Sequence, residues 1–220
     1  MAKAPRAGDV KTRLVPPLTE AEAADLAACF VRDTVLNVQQ IVEDVMVAYA
    51  PADARADLEI TLPSGLLWFE QNGRNLSERL DSVAIHVSCL GFRPFIILGA
   101  DSPTLPTAFI EEAFETLACG RFEISLGPTV DGGYYLVGLN SAVPGLFQNI
   151  DWSTPVAYKQ TVVNAAGLNL RLHALPMWYD IDTPADLYRL GDEMCFHDEV
   201  TRQRAPNTYR WFIDHPLPSF

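Results

Sequence analysis

At 220 residues, 49% hydrophobic and 20% charged, the chain has the size and composition of one globular domain with a full core. Its formal net charge of -12 argues against a nucleic-acid partner, because phosphate backbones are held by basic stripes that an acidic chain lacks. No apolar run is long enough to cross a bilayer, and the charged, then polar, opening residues lack the apolar stretch of a secretion signal, so a cytoplasmic protein is expected.

The first segment, AKAPRAGDVKTRL (2–14), sets Lys3, Arg6, Lys11 and Arg13 against the single acid Asp9. A solvated terminus and an anion-binding loop both explain it. It is not a P-loop, because Val10 stands where that motif needs glycine before its lysine, and no G-x-G-x-x-G fingerprint occurs. What remains is a loop with Gly8 for backbone freedom and lysines and arginines able to wrap a phosphate chain. An α/β sheet normally places such a loop after a first buried strand. Here the loop begins at residue 2, so that strand is expected to be missing or to lie upstream of Met1.

Thr19 and Glu22 form a capping box for a helix to about Gln39. DVMVAYA (44–50) reads as a strand, followed by a loop, and LLWFE (66–70) as a short strand. Asn75 with Glu78 caps a helix to about Leu90. FIILGAD (95–101) is a continuous apolar run, as expected of a central strand covered on both faces. Thr107 starts a helix that ends at Gly120; FEISLG and YYLVGL are strands around PTVDGG; Thr154-Pro155 begins a helix stopped by Gly167. LNLRLHALP (168–176) reads as a strand, and Thr183-Pro184 opens a helix to about Met194.

The alternation predicts an α/β domain over 1–195: three layers, with a mostly parallel mixed sheet, helices on both faces and the first strand apparently missing. FEISLG and YYLVGL supply the mixed character. Residues 196–220 read as a C-terminal tail packed on that domain, aromatic but carrying Pro206, Pro216 and Pro218. Cys29, Cys89, Cys119 and Cys195 show no metal-type or redox-type pairing, and three of them lie in apolar stretches where small buried thiols are expected. The four histidines have no zinc-type spacing.

Three acidic stretches carry the candidate chemistry. In LGADSPTL, Asp101 falls at the carboxyl end of the clearest strand, where open α/β sheets place ligands, and Ser102 is stiffened by the following proline. Capping of the next helix is the plainer role for Asp101, but Thr107 is placed to fill it. In GPTVDGGYYLVGL, Gly132 and Gly133 leave room for a ligand beside Asp131, or else Asp131 bonds the amides of its own hairpin turn. In YDIDTPADL, Asp180 and Asp182 share a face if the segment is extended; helix-start decoration is the alternative, with Thr183 the better cap. Two carboxylates about 4 Å apart repel by roughly 4 kcal/mol at an effective dielectric of about 20. A pair formed by Asp101 and Asp182 would therefore call for a cation, and Mg2+ takes one or two carboxylates plus substrate phosphates.

AKAPRAGDVKTRL, QNGRNLSERL (71–80), LGADSPTL, GPTVDGGYYLVGL, DWSTP (151–155) and DIDTPADL, in this order, resemble a bacterial family of glycosyltransferase-A-like proteins. These include nucleotide-diphospho-sugar transferases and selenodomain-associated transferases, and are akin to the guanylyltransferases of molybdenum cofactor and phospholactate metabolism. The resemblance implies a nucleotide-binding α/β fold with Mg2+ (or Mn2+) at Asp101 and at the DIDTP acids, Asp182 first and Asp180 second. It implies phosphate contacts from Lys3, Lys11 and Arg13 in a loop lined by Ala4, Pro5 and Gly8, with Ser102, Gly132 and Gly133 beside the nucleotide and Arg79 facing phosphate or acceptor. Family chains carry an apolar strand before the AKAP stretch, which is a departure here.

The leading expectation is nucleotidyl transfer from a nucleoside triphosphate to a phosphorylated small acceptor, with Lys11, Arg13 and Asp101 at the reacting phosphates. A glycosyltransferase using a nucleotide-sugar, with Asp131 as base for an acceptor hydroxyl, is the rival. A nucleotide-binding protein without turnover is the third reading. Neither the base, the sugar, the acceptor nor the oligomeric state can be read from the residues.

Overall fold

The computed structural model describes residues 1–197 and 199–217, so Pro218 of the expected tail lies outside the described residues. The chain divides into two compact units. One comprises Ala2–Trp68, Ala100–Pro106 and Asp180–Phe220; the other comprises Met1, Phe69–Gly99 and Thr107–Tyr179.

The first unit starts with β1 (Ala2–Lys3), which runs parallel to β2 (Met46–Ala50) with Ala2 opposite Tyr49 and Lys3 opposite Ala50. A first strand is therefore present, two residues long, within the stretch read from sequence as the start of the loop. The Ala4 amide prolongs the pairing with a 2.8 Å bond to the Ala50 carbonyl. The sheet order is β1-β2-β3, with β3 at Leu67–Glu70.

Helix α1 (Glu20–Gln39) begins at the capping box read from sequence: Thr19 accepts from the Glu22 amide, and the Glu22 carboxylate accepts from the Thr19 amide at 2.7 Å. Its buried face, Ala23, Leu26, Ala27, Phe30, Val31 and Val35, follows helical spacing. Val31 and Val35 meet Ala2, Ala4, Val47, Ala54, Leu58, Leu62 and Leu66 in one apolar cluster.

The stretch between β2 and β3, expected to be a loop, contains α2 (Arg55–Thr61), whose buried Leu58 joins that cluster. Toward the C-terminus stand α6 (Pro184–Asp192), one π-helical turn at Glu193–His197, α7 (Glu199–Arg204) and α8 (Pro206–Asp214). The fully buried Asp33 of α1 accepts from the amides of Asn207 and Thr208 at 3.1 and 2.8 Å, and from their side chains at 2.6 and 2.7 Å. It thus caps the first turn of α8 from another helix.

The second unit holds α3 (Leu76–Cys89, capped by Asn75), β4 (Phe95–Leu98), α4 (Thr107–Ala118), β5 (Ile124–Pro128), β6 (Tyr134–Leu139), α5 (Ala157–Gly167) and β7 (Leu172–Ala174). Its sheet order is β4-β6-β5-β7. Strand β6 is antiparallel to both neighbours, and β5 is parallel to β7. The mixed character expected from the two adjacent segments is that β5–β6 hairpin.

Two elements are shorter than the sequence suggests. Helix α5 starts at Ala157 because Thr154 turns its hydroxyl back to the Asp151 carbonyl and Ser153 sits at φ 60°. Strand β7 keeps only three of nine expected residues, since Leu168 and Asn169 still donate to the last turn of α5. The expectation of buried cysteines is also corrected. Cys89 and Cys119 are exposed and Cys29 and Cys195 half-buried, since Cys89 and Cys119 fall at the ends of α3 and α4 rather than on their inner faces.

Candidate functional site

The basic loop is held at both ends. The main-chain bonds of Lys3 and Ala4 to β2 fix its start, and the fully buried Leu14 fixes its end within a 3-10 turn at Thr12–Leu14. Between them Gly8 stands at φ 80°, and Lys11 is left-handed at φ 48°, ψ 34°. A non-glycine residue in that region costs on the order of 1 kcal/mol and persists only where its surroundings fix it.

What fixes Lys11 is its side chain. The ammonium donates to the Ile181 carbonyl at 2.7 Å and to Asp182 Oδ1 at 2.9 Å, and pairs with Asp101 Oδ1. Its three N–H donors thus have three oxygen partners. It also lies 5.6 Å from the centre of the Phe30 ring, a cation–π contact on α1. The Lys11 side chain is 7% exposed, whereas Asp101 and Asp182 are 58% and 38% exposed. Burial, the largest single influence, would lower the Lys11 pKa, but Asp101 and Asp182 together outweigh it and hold the ammonium above its ordinary value.

The two acids are joined through the main chain as well: the Ile181 amide donates to the Asp101 carbonyl at 2.9 Å. Asp182 is spared from capping. At the start of α6, Thr183 accepts from the Asp186 amide, and the Asp186 carboxylate accepts from the Thr183 amide at 2.7 Å. The ion pairs of Lys11 go to Asp101 and Asp182, not to the half-buried Asp180 that the sequence also offered as a metal ligand. Ser102 is buried, and its carbonyl accepts from Leu105 in the turn after Asp101.

The other loop cations divide. Arg13 is 65% exposed and touches Asp182 only at 4.0 Å, which leaves its guanidinium open to an anion. Lys3 is exposed, with its ammonium 2.5 Å from the Asp9 carbonyl. Arg6 is committed to α2, through Asp57 at 2.7 Å and Asp53 at 3.1 Å. Lys11, expected on phosphate, has every donor occupied by its own chain. Ala4 is buried and Pro5 half-buried, so they shape the loop rather than offer groups to a ligand.

The remaining candidates belong to the second unit. Asp131 Oδ1 accepts from the Gly133 amide at 3.0 Å and from the Thr129 hydroxyl at 2.5 Å, so this acid does bond its own turn. The expectation that Gly132 leaves room for a ligand is corrected. Gly132 stands at φ 92°, and a Cβ there would lie 2.3 Å from the Pro155 carbonyl oxygen, so the chain itself fills that space. Gly133 is close-packed too, with Thr129 Oγ1 3.0 Å from where its Cβ would be. Arg79 Nε donates to the Gly73 carbonyl at 3.2 Å and braces the loop before its own helix.

Sequence reasoning missed Phe30 beneath the Lys11 ammonium and the Ile181 main chain between the acids. The first reads as one more apolar residue on α1, and the second carries no side-chain signal at all. Among the described residues no group of three or more His, Cys, Asp or Glu is disposed to hold a metal ion. The Asp101–Asp182 pair is a two-carboxylate arrangement of hard oxygen donors, already gathered around one cation.

A family model described as "Uncharacterized protein conserved in bacteria (DUF2064)" matches residues 34–154. A solved structure from Desulfovibrio desulfuricans G20, provisionally named a nucleotide-diphospho-sugar transferase, is 28% identical, with a TM-score of 0.86 over 97% of this chain and 91% of that one. CMP:2-keto-3-deoxy-manno-octonic acid synthetase complexed with CTP is 11% identical, with a TM-score of 0.53 over 73% of this chain and 85% of that one. A cytidylyltransferase from Leptospira borgpetersenii serovar Hardjo-bovis (strain JB197) is 13% identical, with a TM-score of 0.53 over 100% of this chain and 97% of that one. These last two likenesses establish the fold alone. No curated protein matches the chain significantly. The chain has the α/β fold of the Desulfovibrio protein, and by the match over residues 34–154 it belongs to the DUF2064 family of bacterial proteins.

Proposed function

We propose that the chain is a metal-dependent transferase that moves a nucleotidyl group from a nucleoside triphosphate to a phosphorylated small acceptor, releasing pyrophosphate. The observation that carries this reading is the pair of acids, Asp101 and Asp182, gathered on the Lys11 ammonium with the exposed Arg13 beside them. The fold shared with a protein provisionally named a nucleotide-diphospho-sugar transferase, with CMP:2-keto-3-deoxy-manno-octonic acid synthetase and with a cytidylyltransferase supports it. The acids' exposed oxygens suit Mg2+ or Mn2+, which takes few carboxylates and completes its shell with phosphate oxygens and water. When bound, such an ion neutralises charge on the donor phosphates.

The chain's own residues do the rest. Arg13 offers a forked donor to the leaving phosphates, and Lys3 adds a second exposed charge to the same loop. A phosphate oxygen of the acceptor attacks the α-phosphorus and forms a new P–O bond. The bond to the bridging oxygen breaks, and pyrophosphate leaves with its electron pair. That nucleophile is already an anion, so no general base is required, and catalysis is positioning plus charge stabilisation.

The name of the Desulfovibrio relative favours a second reading, glycosyl transfer from a nucleotide-sugar. Incubation with Mg2+, labelled nucleoside triphosphates or nucleotide-sugars, and a panel of phosphorylated and hydroxyl acceptors separates the two. Pyrophosphate release is the expected result; release of a nucleoside diphosphate selects the second reading. Consumption of neither donor across the panel rejects both.

A further inference from the structure

Lys11 is oddly placed for a phosphate-binding lysine. It is the most enclosed cation of the loop, its three donors are consumed by Ile181, Asp182 and Asp101, and its backbone is held in a left-handed conformation. The acids it bridges are the two groups that the proposed function assigns to a divalent cation. An ammonium and a metal ion cannot both occupy the space between the same carboxylate oxygens. We propose that the Lys11 ammonium is an internal counter-cation of the Asp101–Asp182 pair, which a divalent cation displaces on binding. This rests on the metal-dependent reading above and goes beyond it by giving the site a resident occupant.

Three features support it. Without a cation the two carboxylates would repel each other, so the ammonium keeps the pair assembled before any ligand arrives. The aromatic face of Phe30, 5.6 Å away, adds a further hold on the same ammonium. Displacement also has somewhere to lead: the clamp holds Lys11 in its strained backbone, and its loss frees both the loop and an ammonium for an incoming phosphate. The metal's affinity is thereby reduced by the work of displacing Lys11, and that work is returned when phosphate takes up the released ammonium.

Lysine labelling with mass spectrometry tests this on the unaltered protein. Its three lysines are Lys3, Lys11 and Lys159, and Lys3 and Lys159 are exposed, so both serve as internal references. Without divalent cation Lys11 is expected to acylate much more slowly than the other two. Saturating Mn2+ is expected to raise its rate several-fold and to leave theirs unchanged. Isothermal titration with Mn2+ alone gives the second readout. Lys11→Met is expected to bind Mn2+ about tenfold more tightly than wild type or more, because a positive charge beside the ion has gone. Lys11→Arg, which keeps that charge, is expected to stay near wild type.

If Mn2+ binds in a manner lost in Asp101→Asn, yet neither Lys11 labelling nor the Lys11→Met affinity changes, the counter-cation is overturned and the metal site stands. If Mn2+ binding survives both Asp101→Asn and Asp182→Asn, or does not occur at all, the metal site falls and the counter-cation falls with it.

Discussion

Arg13 and Lys11 lie two residues apart in one loop yet have opposite roles: one is 65% exposed, the other 7%. Because Arg13 meets Asp182 only at 4.0 Å in solvent, its removal should cost the fold little, within about 0.5 kcal/mol. Arg13→Ala is therefore expected to leave urea unfolding unchanged while raising the KM for the nucleotide donor about tenfold. Equal losses in stability and binding would make Arg13 a structural residue instead. At this scale the sequence singled out candidate residues and was silent about what each touches. Asp101 and Asp180 stood out because Thr107 and Thr183 offered better caps, whereas Asp182 was preferred on the family resemblance alone; at α6 the capping box indeed falls to Thr183 and Asp186. The fate of Lys11 depends on a left-handed backbone and on groups near positions 101 and 181, which no local pattern encodes.

Among elements, α8 is the one whose position is most clearly tied to another, through Asp33 of α1. A buried carboxylate with four donors leaves those donors unsatisfied when it is removed, at a cost of about 1–3 kcal/mol or more. Asp33→Ala is expected to lower unfolding free energy by that amount. Burial raises the Asp33 pKa, and the Asn207 and Thr208 donors only partly oppose it. A carboxyl whose folded value lies above its unfolded value contributes most below the unfolded value, about 3.9, and less as pH climbs through the folded one. The gap between wild type and Asp33→Ala in urea should therefore be wider at pH 5 than at pH 8; a gap that grows with pH would contradict this account. Elements with side-chain caps, α1, α3 and α6, start where the sequence placed them. Helix α2 escaped notice because Ala54, at its N-cap, makes no side-chain bond and the helix has only 7 residues. Missing it also hid the partners of Arg6, since Asp53 and Asp57 lie at and before its first turn.

For the molecule as a whole, a formal net charge of -12 leaves the native state under self-repulsion. Raising NaCl from about 10 to 150 mM shortens the Debye length to roughly 8 Å and should relieve about 1 kcal/mol, seen as a rise of about 2–4 °C in Tm. A Tm that falls over this range would mean that attractive pairs, not repulsion, dominate the surface. The α/β class was legible because alternating apolar runs and capped helices are local signals. The division into two sheets was not, because strand pairing is set by residues distant in sequence, as in the Ala2–Tyr49 register. Among the described residues no helix is long and apolar enough to cross a membrane.

The bond from the Ile181 amide to the Asp101 carbonyl has a consequence for how this chain can vary. It is indifferent to side chains, so position 181 has only to fill its buried space. It is unforgiving of length. One residue inserted or deleted between Asp180 and the start of α6 would bring a different amide opposite Asp101 or carry Asp182 off Lys11. Apolar substitutions can therefore accumulate at position 181 during divergence, while a change in the length of this segment would break the site at a stroke.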